Sequence, residues 1–231
     1  MRRSPATLAA LLVVAGVLCA GLIGLGVWQI ERLHWKVALI ETVGERVHAA
    51  PTPAPGLDRW PQITAESDGY RHIWVSGRYR DDATVFVQAV TERGPGFWAM
   101  TPIVSDRGFT VLVNRGFVPD RHAPLVGSAR VTGLLRPSEP GGAFLRKNDP
   151  AANRWFSRDI AAIAAARRLG PVAPYFIDAD AGAPESVPVA GLTVIRFSNN
   201  HLVYAMTWFA LAAMVAGAAA MLVRSQRRGS A

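Results

Sequence analysis

The chain has 231 residues and a formal net charge of +8; half of its residues are apolar and only 18% are charged. With a positive mean hydropathy, that composition excludes a disordered or fibrous chain and favours a membrane protein over an ordinary soluble domain. The single cysteine, Cys19, excludes an intrachain disulfide, a CxxC redox pair, a cysteine-built zinc site and the CxxCH attachment of c-type haem.

Leu8 to Trp28 is 21 residues without a charge, enough for a helix to cross a hydrocarbon layer of about 30 Å. Arg2 and Arg3 before it resemble the n-region of a signal peptide. The apolar run exceeds the length such peptides use and no small-x-small cleavage site closes it, so the segment is expected to be retained. A second uncharged stretch, Phe197 to Val223, predicts a second span. Arg224, Arg227 and Arg228 follow it, and neither tail carries an acid, which places both termini in the cytoplasm and the middle outside. Trp28 and Trp35, with Tyr204 and Trp208, suit an outer aromatic belt. Ala20 with Gly24, and Ala213 with Gly217, form small-xxx-small pairs through which the spans can touch. The division predicted is a tail 1–7, a span 8–28, an external domain 29–200, a span 201–223 and a tail 224–231.

The external domain is expected to begin as a continuation of the first helix to about Arg46, because Trp28, Arg32, Trp35 and Leu39 recur at helical spacing. Prolines 51, 53 and 55 in Ala50 to Gly56 then predict an extended linker. Short runs rich in Val, Ile, Phe and Thr predict strands at His72–Gly77, Thr84–Val90, Phe97–Val104, Phe109–Asn114, Arg130–Leu135, Tyr175–Asp178 and Thr193–Phe197. One short helix interrupts them, with Ser157 as N-cap, Asp159 in its first turn, and Gly170 and Pro171 as its stop. The fold class predicted is a membrane α+β protein, two transmembrane helices flanking an antiparallel β-rich barrel or sandwich.

Catalytic signatures are missing: the chain has no GxSxG elbow, P-loop, HExxH or GxGxxG between a strand and a helix. The histidines at 34, 48, 72, 122 and 201 are never within five residues of one another. Asp178-Ala-Asp180-Ala-Gly182 lacks the closing glutamate of a calcium loop and reads as a turn. Asp81 and Asp82 read as a solvated turn. Asn114-Arg115-Gly116 ends an apolar strand, where an arginine fixes a loop or, alternatively, binds an anion. Gln29, Arg32 and Lys36 share a helical face just outside the membrane, suited to lipid headgroups or, alternatively, to haem propionates. His201, Tyr204 and Trp208 stand at i, i+3 and i+7 on one face at the start of the second span. By spacing alone His201 reads as an interfacial hydrogen-bonding group, with haem-iron ligation as the alternative.

Read in order, the residues resemble the surfeit locus protein 1 family, assembly factors of haem-copper cytochrome c oxidase. The resemblance starts at "LGVWQIERLHWKVALIE" (Leu25 to Glu41) and passes through Val75 to Tyr79, "TPIV" (Thr101 to Val104) and "VLVNRGFVP" (Val111 to Pro119). It continues through Gly133 to Arg136, then Asn148 to Pro150 with Asn153, Trp155, Phe156 and Asp159, and closes with "NNHLVYAMTWF" (Asn199 to Phe209). Phe117 stands where many members have tryptophan. The resemblance implies a non-enzymatic protein of a bacterial plasma membrane that binds haem a and assists its insertion into the oxidase core subunit. It implies His201 as the iron ligand, Tyr204 and Trp208 as pocket wall, and Arg32 and Lys36 as propionate partners. The implied partners are that core subunit, membrane lipid and, as a further candidate, haem a synthase. The alternative is a scaffold that stabilises an oxidase intermediate without haem. Nucleic acid is not an expected partner: the two tails hold five of the basic residues, leaving 20 basic against 17 acidic residues elsewhere.

Overall fold

The computed structural model describes residues 4–141, 146–183, 186–193, 195 and 197–228. In chain order its elements are α1 (Pro5–His48), β1 (Thr52–Pro53), α2 (Ala65–Asp68), β2 (His72–Tyr79), β3 (Val85–Thr91), β4 (Gly94–Ser105), β5 (Thr110–Val118), β6 (Ser128–Pro137), α3 (Ile160–Arg167), β7 (Val172–Ala179) and α4 (His201–Arg228). They fall into two compact units, Met1–Thr42 with Arg196–Ala231, and Val43–Ile195.

In the first unit, α1 and α4 are both long and apolar enough to cross a membrane. Ser4 caps α1 by accepting from the Thr7 N–H at 3.2 Å, and Pro5 at the first helical position costs no hydrogen bond. The more buried positions recur in alternating steps of three and four residues: Leu12, Ala15, Cys19, Leu22, Gly26 and Gln29 on α1, and His201, Ala205, Trp208, Ala212, Val215 and Ala219 on α4. This is the spacing of a left-handed coiled-coil seam. The helices run antiparallel, because Cys19 Sγ reaches the Ala212 carbonyl at 3.7 Å while Gln29 meets His201. The expected small-xxx-small contacts are not the ones used: a Cβ on Gly24 or Gly217 would meet nothing, whereas one on Gly26 would overlap the Phe209 ring. Spacing finds small residues but not which face of the helix is covered. Arg2 and Arg3 lie outside the described residues.

The second unit is a barrel. Around it run β2, β6, β7, β5 and β4, and the ring closes where Gly77 to Tyr79 of β2 pair with Ser105 to Ile103 of β4. This strand order is that of a five-stranded Greek-key barrel of the OB type. Strand β3 extends the sheet beyond the ring as a hairpin partner of β4. The sheet is not wholly antiparallel: β5 pairs with β7, and β1 with β2, in parallel. The chain between β5 and β7, which includes β6 and α3, supplies the long crossover that a parallel pair requires.

Alternation along the strands makes two cores. Val111 and Val113 of β5, with Tyr175 and Ile177 of β7 and Ile73 and Val75 of β2, fill the barrel. Leu112 and Phe176 point the other way, onto Trp155, Ile160 and Ile163 beneath α3. Both faces of β5 are therefore covered and all nine of its residues are buried. Each such fully buried aliphatic or phenyl side chain contributes about 1.5–3 kcal/mol.

Several expectations change. Ala50 to Gly56 is not a linker, since Ala54 is buried in the barrel core and the Pro55 carbonyl accepts from the Tyr175 hydroxyl at 2.6 Å and Trp60 Nε1 at 3.2 Å. Prolines forbid a helix there, but an edge strand tolerates them. The α3 cap is Asp159, whose carboxylate accepts from the Ala162 N–H; Ser157 is instead buried and bonded to Asn148. The helix ends at Arg168, in a left-handed conformation that satisfies its last carbonyls, two residues before the expected glycine stop. The described residues of Thr193–Phe197 form no strand, and Val194 and Arg196 lie outside the description.

Candidate functional site

Where α4 begins beside α1, the helix pair places a histidine, a buried amide, two cations and several aromatic rings within one unit. Asn200 opens α4, its carbonyl accepting from the Tyr204 N–H at 3.2 Å, so His201 is the first helical residue. Its Nδ1 lies 2.7 Å from Oε1 of Gln29. An amide oxygen only accepts, so Nδ1–H donates, and in the neutral ring this arrangement puts the lone pair on Nε2. A histidine that ligates a metal is normally held this way, by a hydrogen bond from its other nitrogen. This arrangement would suit a histidine that ligates haem iron. Gln29 was expected at lipid headgroups; it is only 9% exposed, because it lies on the seam rather than on the outer face.

Tyr204 and Trp208 share the His201 face of α4, Tyr204 exposed and Trp208 half-buried. Met206 is exposed, on another face of the helix. The Arg32 guanidinium lies over the Trp35 ring at 4.3 Å, and the Lys36 ammonium over Phe197 at 5.1 Å. Among the described residues no carboxylate pairs with either cation, so both keep N–H donors for an anionic group. The buried Oδ1 of Asn199, two residues before His201, has no donor among the described residues. Buried polar atoms of this kind are seldom unpaired, and sequence reasoning had no signal for it beyond its place beside His201.

In the barrel unit the less bland sequence features are structural. Arg115 lies within β5 rather than at its end, donating to the Pro124 carbonyl at 2.7 Å, approaching Asp81 at 3.4 Å and facing the Tyr79 ring. It fixes a loop, and burial pushes the neighbouring Tyr79 phenol well above its usual range. Asp81 is not a solvated turn residue, because it also accepts from the N–H groups of Val126 and Gly127; Asp82 is exposed and pairs with Arg80. Asp178 lies in β7, within the strand predicted over Tyr175–Asp178. Its buried carboxylate takes Asn114 at 2.8 Å, Thr193 at 3.1 Å, Arg136 at 3.2 Å and Arg158 at 3.3 Å. Asp180 pairs with His72 at 2.8 Å. Among the described residues no three His, Cys, Asp or Glu side chains gather as a metal-binding group.

These features define a class: a pair of membrane-length helices, antiparallel and joined by a histidine–amide bond, with a Greek-key barrel in the chain between them. A model of the SURF1 family matches residues 16–213. The chain is 32% identical over 216 residues to surfeit locus protein 1 of Mus musculus, covering 82% of this chain and 68% of that one. It is 31% identical to the Homo sapiens protein of the same name, over 82% of this chain and 70% of that one. A SURF1-like protein of Monosiga brevicollis is 32% identical over 228 residues, 89% of this chain and 84% of that one. The chain belongs to the SURF1 family.

Proposed function

We propose that this chain is an assembly factor for haem-copper cytochrome c oxidase that holds haem a at the outer end of its helix pair and passes it to the oxidase core subunit. The observation that carries the proposal is the His201–Gln29 bond, which holds the imidazole through Nδ1 and leaves Nε2 as the nitrogen for iron. His201 is the iron ligand, Tyr204 and Trp208 are the wall against the macrocycle, and Arg32 and Lys36 are the propionate partners. Haem is apolar and aggregating, and an imidazole beside aromatic surface at membrane depth suits its custody. The protein acts by binding, without turnover. It resides in a bacterial inner membrane with both termini cytoplasmic, a topology supported by Arg224, Arg227 and Arg228 after the second span. Haem a synthase is the candidate donor of the haem.

The test is the visible spectrum of the full chain, purified in detergent from cells that also make haem a. A Soret band that falls strongly in His201→Ala is expected, and an unchanged band removes His201 as ligand. A haem-free wild-type protein whose gene deletion still lowers oxidase activity would favour the scaffold reading. Normal oxidase activity and haem a content after deletion would end the assembly role.

A further inference from the structure

We infer that Gln29 is a positioning residue that makes iron binding by His201 depend on how closely the two membrane-length helices pack; the inference rests on the haem reading above.

The two side chains are 172 residues apart in sequence and meet only because α1 and α4 associate. Gln29 is almost fully buried, so water does not readily replace it as acceptor. Its carbonyl selects the Nδ1–H tautomer, and so decides which ring nitrogen carries the lone pair. Turning the amide by half a rotation would offer an N–H₂ donor and reverse the tautomer, placing the proton on Nε2, where iron would have to bind.

The separation of the helices at this level is set one turn away. Gly26, three residues before Gln29 and on the same face, receives the Phe209 ring where any side chain would overlap it. The bond is 2.7 Å long, and a donor–acceptor distance of about 3.6 Å is no longer a hydrogen bond. A separation increased by roughly 1 Å, less than the bulk of one methyl group, is therefore enough to release the ring. A partner that parts α1 from α4 would then weaken the hold on iron without touching His201. Loss of such an outer partner typically lowers metal affinity about 10–100-fold.

The experiment uses the full chain in detergent, titrated with purified haem a, and compares Gln29→Leu, Gln29→Glu, Gly26→Val and the double variant Gly26→Val/Gln29→Leu. Gln29→Leu should lose 10–100-fold in affinity and change the midpoint potential. Gln29→Glu keeps an acceptor and makes the imidazole a stronger donor, so it should restore affinity at a lower potential. Gly26→Val should reproduce the loss seen in Gln29→Leu, and the double variant should lose no more than either single one, because both break the same contact. Nitrogen-15 NMR of histidine-labelled, haem-free protein, assigned with His201→Ala, should find the proton on Nδ1. Wild-type affinity and potential in Gln29→Leu, fully additive losses in the double variant, or a proton on Nε2 would each overturn the inference. A wild-type chain that binds no haem a overturns the underlying reading as well. Wild-type binding with indifferent variants overturns the inference alone.

Discussion

Asp178 tests how the barrel is held together. Its carboxylate is 3% exposed and lies between Arg136 and Arg158, which are 16% and 17% exposed. Asn114 and Thr193 complete its four donors. Asp178→Asn keeps the shape, removes the charge and, whichever oxygen is replaced, turns an amide N–H₂ toward an arginine that only donates. Removing one partner of a buried ion pair costs about 3–5 kcal/mol. Glu139 still binds Arg136 and Arg158, each at 2.7 Å, so the lower end, about 3 kcal/mol, applies. For a chain of this size that is a fall in melting temperature of about 6–12 °C, measurable by circular dichroism of the full chain in detergent. Glu139 is 38% exposed, and Glu139→Gln should cost less than about 1 kcal/mol. Equal costs for the two substitutions, or an Asp178→Asn protein that melts within about 3 °C of wild type, would refute the reasoning from burial.

Trp155, 1% exposed with its indole N–H on Asn153, anchors the layer beneath α3, and Trp155→Ala should cost about 3–5 kcal/mol in chemical denaturation. Gly116 has a φ of +126° and a Cβ there would strike the Val189 backbone, so Gly116→Ala should destabilise by about 1–3 kcal/mol and loosen the Phe117–Val189 pairing in hydrogen exchange. His72 donates from both ring nitrogens, to the Ala49 carbonyl at 3.0 Å and to Asp180 at 2.8 Å. Burial opposes its charge, but the two acceptors outweigh burial and raise its pKa above the usual histidine value. Its stabilising contribution is therefore complete below about pH 6.5 and is lost as pH rises through the raised value. Melts at graded pH should show that loss in wild type and not in His72→Gln.

Much of the architecture was legible along the chain because it rests on local patterns. Two long uncharged runs demand a nonpolar environment whatever surrounds them, and six of the seven predicted strands are strands, since alternation of Val, Ile, Phe and Thr reports a covered face directly. Helical spacing alone put His201, Tyr204 and Trp208 on one face. Other assignments failed where a neighbour distant in sequence decided the outcome. Proline 53 looks like a linker residue until the Trp74 strand is beside it, and Asp81 looks like a solvated turn residue until Arg115 and the Val126 and Gly127 N–H groups surround it.

The same division runs through the candidate site. The sequence by itself determined that a histidine stands at the start of the second membrane-length helix, with aromatic residues along its face, and that cations follow the uncharged run of the first. The tertiary structure alone decided that Gln29 leaves the headgroup-facing series expected of Gln29, Arg32 and Lys36 to bond His201, and that Gly26, not Gly24, meets the opposite helix. A helix pattern records which residues share a face, but the residue that covers that face is a property of the partner helix and its register. The tautomer of one imidazole depends on that register.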